Sequence, residues 1–134
     1  GQVVRTEAKS VNLPPDSSTE VGSFVKPNGA DPTFLVLTLQ TPYGALQNDW
    51  HFGFYKDMPL AKAVVEVARR DGDSKITLVT DKPAFFVWAN ASGVRGEFDD
   101  NCLTLLPGRP KTLTFSGALS REALSVTHLA NLAP

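Results

Sequence analysis

The side chains able to do chemistry concentrate in one short run, Asp99-Asp100-Asn101-Cys102, where two carboxylates and an amide precede the only cysteine of the chain. Paired carboxylates are the machinery of glycoside hydrolysis, and Asp, Asn and Cys can all approach a metal. Neighbouring residues of an extended strand point to opposite faces, however, so Asp99 and Asp100 cannot act as a pair. A glycosidase needs carboxyls that face each other across roughly 5–10 Å, from separate elements. The favoured reading is a strand-end loop in which Asp and Asn side chains bond local backbone groups. A single cysteine excludes an internal disulfide and any site built from several thiolates. With Leu103, Leu105 and Leu106 beside it, Cys102 reads as a buried or half-buried structural residue. A nucleophilic thiol would want a cation or a helix N-terminus nearby.

The other candidates are thinner. Asp71-Gly72-Asp73 has the opening of a calcium loop without its later glutamate or its flanking helices, so it reads as a solvated hairpin turn. His51 and His128 are 77 positions apart, and His51 alternates with aromatics, which directs it away from their face. No Gly-x-Ser-x-Gly elbow and no glycine-rich phosphate loop is present, so neither a cofactor nor a metal is expected. Asn90-Ala91-Ser92 matches the N-glycosylation pattern. Trp50, Tyr43 and Tyr55 are the candidate carbohydrate-binding residues, able to stack on sugar rings. Trp88, inside the apolar run Phe85-Phe86-Val87-Trp88, reads as core.

These residues need a scaffold, and the bulk properties define its class. At 134 residues the chain is expected to form one domain over 1–134. Hydrophobic residues at 42% and charged residues at 20% describe a globular chain rather than a disordered one. The net charge of -1 leaves no basic footprint for nucleic acid. No apolar run approaches the ~18 residues that cross a bilayer, so no membrane partner is expected. The opening Gly1-Gln2-Val3-Val4-Arg5 lacks the apolar core of a signal peptide, and a start on glycine suggests a piece cut from something longer.

Short segments between turn residues dominate the rest. Val21–Val25 leads to the turn dipeptide Asn28-Gly29. Phe34–Leu39 is apolar on both faces, which predicts a central buried strand. Thr41-Pro42-Tyr43-Gly44 is a turn, after which Trp50, Phe52 and Phe54 share one face at a period of two. Strands are expected at 75–80, 84–88, 103–106, 111–115 and 123–129. Leu60–Arg70 has helix-forming composition, with Leu60, Val64 and Val67 at helical spacing. Its context, ahead of the turn at 71–73, argues for a strand carrying Ala61, Ala63, Val65 and Val67 on one face. Segments every ~8–12 residues with turns between them predict an all-β chain, a β-sandwich or barrel.

The order of motifs narrows this further. Asn48 precedes His51-Phe52-Gly53-Phe54, then come Tyr55–Leu60, a charged hairpin, and an apolar strand ending in Phe86-Val87-Trp88. Gly96–Asn101 and Leu105-Leu106-Pro107-Gly108-Arg109-Pro110-Lys111-Thr112-Leu113-Thr114-Phe115 follow, and Leu124–Leu129 closes the run. Over residues 34–130, and most specifically over 84–116, this resembles the C-terminal immunoglobulin-like domain of β-mannosidase-type enzymes of glycoside hydrolase family 2. The resemblance implies an all-β, immunoglobulin-like antiparallel β-sandwich in which Asp99–Asn101 is a turn between strands and Pro107-Gly108 links the next pair. It implies that the catalytic glutamates lie in a (β/α)₈ barrel this chain is too short to contain. None of Glu7, Glu20, Glu66, Glu97 and Glu122 stands in the family's Asn-Glu context, so no catalytic residue is carried over. Phe98-Asp99 and Cys102 depart from the commoner family residues.

The resulting expectation is a non-catalytic accessory domain, not itself an enzyme, from the C-terminal end of a β-mannosidase-like glycoside hydrolase. Its partners would be the catalytic barrel or a neighbouring sandwich of the parent. The alternative is a carbohydrate-binding module that stacks oligosaccharides on exposed aromatics. An exported or lysosomal parent is what the resemblance implies for location.

Overall fold

The computed structural model describes residues 2–26, 33–69 and 74–132. The expected turns at Asn28-Gly29 and Asp71-Gly72-Asp73 lie outside the described residues. The architecture is all-β and antiparallel, with eight strands, two 3₁₀ turns and one short α-helix among the described residues. The chain divides into two compact units, Gly1–Met58 and Pro59–Pro134. Both three-stranded sheets lie in the second unit.

The first unit is built on one hairpin, β1 (Phe34–Thr41) and β2 (Gly44–His51), paired from Phe34↔His51 to Thr41↔Gly44. Pro42 and Tyr43 make its two-residue loop, and Gly44 closes it at φ 130, a backbone state that disfavours a side chain. Thr41 holds the loop, accepting from Tyr43 N–H and donating to Gly44 O. Two expectations fail here. Phe34–Leu39 is a strand but not a buried central one, because its sheet has only two members and Leu37 and Leu39 remain 49% and 39% exposed. The strand carrying Trp50 stops at His51, and Tyr55–Asp57 turns into a 3₁₀ helix, so Phe52 and Phe54 do not continue its face. Residues 21–25 form no strand, with Val25 84% exposed.

The second unit is the sandwich. One sheet orders β3 (Val65–Arg69), β4 (Lys75–Thr80) and β7 (Lys111–Thr114). The other orders β6 (Leu103–Leu105), β5 (Ala84–Ala91) and β8 (Leu124–Thr127). Alternation puts Ile76, Leu78 and Leu113 on the inner face of the first sheet. Val87, Ala89, Leu103 and Leu105 meet them from the second, and Phe115 and Leu119 complete the core. Ile76, Leu78, Val87 and Leu113 are fully buried, so truncating any of them would leave a cavity costing about 2–5 kcal/mol for a large side chain. The region 60–70 is a strand where it is regular, as context rather than composition indicated. Its entry is pinned by Asp81, whose carboxylate accepts from Val64 N–H at 2.7 Å. Helix α1 (Leu129–Leu132) follows β8. Buried His128 precedes it, with Nε2 3.2 Å from Ala63 O.

Candidate functional site

The Asp99–Cys102 run is where the chain passes from one sheet to the other, and its polar side chains are consumed in that passage. Phe98 still bridges Phe115. Asp99 then exchanges two bonds with Thr114: its N–H donates to Thr114 O, and its carboxylate accepts from Thr114 N–H, both at 2.9 Å. Two residues later the chain has changed sheets. The Asn101 amide faces Ala89, accepting from its N–H at 2.8 Å and donating to its carbonyl at 2.9 Å. A primary amide has the donor and acceptor of a peptide group, so Asn101 supplies the rung that β6, starting at Leu103, does not reach. Asp100 caps Asn101 N–H and pairs with Lys111 at 3.0 Å on the surface. Sequence reasoning placed these bonds in a local loop. In fact Asp99 and Asn101 bind strands 15 and 12 residues away. Cys102 is exposed rather than buried, at φ 55, where the backbone reverses to enter β6. At Pro107-Gly108, Arg109 N–H returns to Leu106 O with Gly108 at φ 70, the turn that the dipeptide predicted.

The candidate sugar-stacking residues all fall in the first unit and are not brought to one surface. Tyr43 sits at the hairpin loop, fully exposed, roughly 20 Å of strand away from Trp50. Trp50 is 63% exposed and pairs with Leu35. Tyr55 joins a different assembly, which the sequence analysis did not identify. Its ring lies 4.4 Å from the His51 imidazole, whose other neighbour is Phe34 at 5.5 Å. His51 Nε2 is 2.7 Å from the Asp49 carboxylate. Burial, and then the Asp49 charge, raise the Tyr55 hydroxyl above its ordinary pKa. Trp50 lies between Asp49 and His51 in the strand and so projects from the opposite face. The only sequence signal for the assembly was the i, i+2 spacing of Asp49 and His51. His51 and His128 each have a partner of their own, Asp49 and Ala63. Among the described residues no group of three or more His, Cys, Asp or Glu could hold a metal.

Two sheet faces are left exposed with large apolar side chains. On the hairpin, register places Leu35, Leu37, Leu39, Leu46 and Trp50 together, with Asn48. Leu46 is 65% exposed. On the outer face of the β6–β5–β8 sheet stand Phe86 and Trp88, at 44% and 47%. Trp88 was read as core, and the reason it is not is a bulge. Ala84 pairs with Leu105 and Val87 with Leu103, so β5 has one residue more than its partner between these rungs. Phe86, at φ 51, absorbs it. The extra residue resets the alternation: Val87 and Ala89 turn inward, and Phe86, Trp88 and Asn90 turn outward.

Residues 58–132 match the model of the mannosidase Ig-fold domain family, and the chain belongs to that family. The match begins at the boundary between the two units. No curated protein matches the chain.

Proposed function

From that membership we propose that the chain is a non-catalytic accessory part of a β-mannosidase-type glycoside hydrolase, from its C-terminal end. It packs against the catalytic barrel or a neighbouring sandwich of the same polypeptide. The observation that carries this reading is the aliphatic face of the β1–β2 hairpin. A two-stranded sheet is marginal in water, and it becomes stable when its apolar face packs on further structure. Leu35, Leu37, Leu39, Leu46 and Trp50 form such a face, and it is larger and more aliphatic than scattered surface residues explain. The chemistry agrees. Asp99, Asp100 and Asn101 are tied to backbone and Lys111, and none is placed against another carboxylate to work on a substrate. In this reading Trp50 is a packing residue rather than a sugar platform.

The test is a double substitution, Leu37→Lys with Leu46→Lys, in the full-length polypeptide and in the 134-residue chain. Charges on a packing face are expected to lower the melting temperature of the full-length protein by several degrees. In the chain alone, where both positions are exposed, the shift should stay within about 0.5 kcal/mol. An unchanged full-length melting temperature would remove the proposal. A second reading, sugar binding, is favoured by a different observation, the outer face of the second unit.

A further inference from the structure

We propose that the outer face of the β6–β5–β8 sheet is a binding platform for a neutral pyranose oligosaccharide, with Trp88 and Phe86 as its stacking surface. The inference goes beyond the packing role and does not rest on it.

Three observations carry it. The first is composition. Residues 84–91, 103–105 and 124–127 contain no Asp, Glu, Lys or Arg, although β6 and β8 are both edge strands. Exposed edges are ordinarily blunted with charge, and the opposite sheet follows that rule with Glu66 on β3 and Lys111 on β7. A face without charge suits a ligand without charge. The second is the kind of side chain present. Around the two rings the register sets Thr127 beside Trp88 and Ser125 beside Asn90, with Thr104 on β6. Hydroxyls and an amide offer both donors and acceptors, which a polyol needs. The rings offer flat apolar area for the C–H faces of pyranoses. The aliphatic hairpin face lacks this mixture, having one amide among five apolar side chains.

The third observation is strain. An aromatic residue at φ 51 is a costly backbone state, and bulges of this kind re-aim side chains. Here the strained residue turns two aromatics outward, with Cα atoms about 6.5 Å apart, the rise of two strand residues. The Asn90 amide is braced by Ser92, its Nδ2 donating to the Ser92 hydroxyl at 3.1 Å, which leaves its carbonyl oxygen as the acceptor at the end of the row. Two rings at this spacing, with hydroxyls alongside, match two consecutive sugars of a chain lying along β5.

The experiment titrates the 134-residue chain with mannohexaose and cellohexaose, following tryptophan fluorescence and heat. An anionic oligogalacturonate serves as the charged control. The expected result is saturable, millimolar-range binding of a neutral oligosaccharide and none of the anionic one. Trp88→Leu keeps an apolar side chain of strand propensity at an exposed position. It should fold like the parent yet lose at least about tenfold in affinity, because the ring face is gone. Trp88→Tyr, which retains a ring, should recover most of that loss. Trp50→Phe should bind as the parent does, with a fluorescence response that now reports Trp88 alone. Three results would each overturn the proposal: no heat or fluorescence change up to about 10 mM neutral sugar, undiminished binding in Trp88→Leu, or binding abolished by Trp50→Phe. If the parent binds no sugar and Trp88→Leu instead destabilises the full-length polypeptide, the face docks protein, and the inference fails while the packing role gains a second surface.

Discussion

The two exposed faces of this molecule are both made of apolar side chains on antiparallel strands, yet they differ in what they could accept. The hairpin face is aliphatic, with Leu35, Leu37, Leu39 and Leu46 beside Trp50, and it belongs to a sheet too small to support itself. The outer face of β6–β5–β8 is aromatic and hydroxylic, and it belongs to a sheet whose other side is already buried in a filled core. The first therefore needs a partner for stability, whereas the second is stable without one and is available for recognition. Exposure alone does not separate the two roles; the state of the opposite side of the sheet does.

The largest effect is expected from removing the residue that makes the bulge under the second face. Deleting Phe86 takes out the extra residue: Val87 keeps its place opposite Leu103 and Trp88 stays outward, while Phe85, now opposite Thr104, turns from the core to the surface. We expect the deletion to cost about 3–5 kcal/mol, read from urea unfolding. Phe86→Gly, which keeps the count and suits φ 51, should leave the fold intact. Equal urea midpoints for the deletion and the parent would show that the buried Phe85 ring adds nothing to the core.

Next in size is the rung supplied by Asn101. Asn101→Ala leaves the N–H and carbonyl of Ala89 without their amide partner and should cost about 2–3 kcal/mol in denaturant. Asn101→Asp keeps only the acceptor and should fall between the two. A loss below about 0.5 kcal/mol for the alanine variant would mean that water replaces the amide at no cost. The lysine pair on the hairpin face should be smaller again in the isolated chain, and its contrast with the full-length protein is the informative quantity. Smallest, and of opposite sign, is Cys102. It holds a left-handed backbone without glycine's freedom, and asparagine tolerates that region better. Cys102→Asn should raise stability by about 0.5 kcal/mol, read as a higher thermal midpoint. A lower midpoint would show that the thiol makes a packing contribution despite its exposure.

Much of the sandwich was legible in the chain because β-patterning is local. Lys75–Thr80 and Lys111–Thr114 alternate in sequence as they do in burial, and Pro107-Gly108 specifies its turn through proline's fixed φ and glycine's positive one. The region 60–70 shows the limit of local composition. Good helix formers became an edge strand because pairing with β4, and the Asp81 clamp on Val64, outweigh intrinsic preferences of a few tenths of a kcal/mol per residue. The aromatic residues were the least legible. Trp88 was read inward because its neighbours are apolar, and one inserted residue reversed that. Tyr55 was grouped with Trp50 because both are aromatic, and the strand end at His51 separated them.

The sequence by itself determined the all-β class, the turns at Pro42-Tyr43 and Pro107-Gly108, and the family. Each of these depends on residue type and spacing along the chain. Only the tertiary structure decided which aromatic rings are exposed, and that Asp99 and Asn101 are rungs rather than loop caps. Their partners lie 12–15 residues away, and a single bulge shifts every side chain beyond it. Facing in a sheet depends on register, which is a relation between strands and is not written in either strand alone.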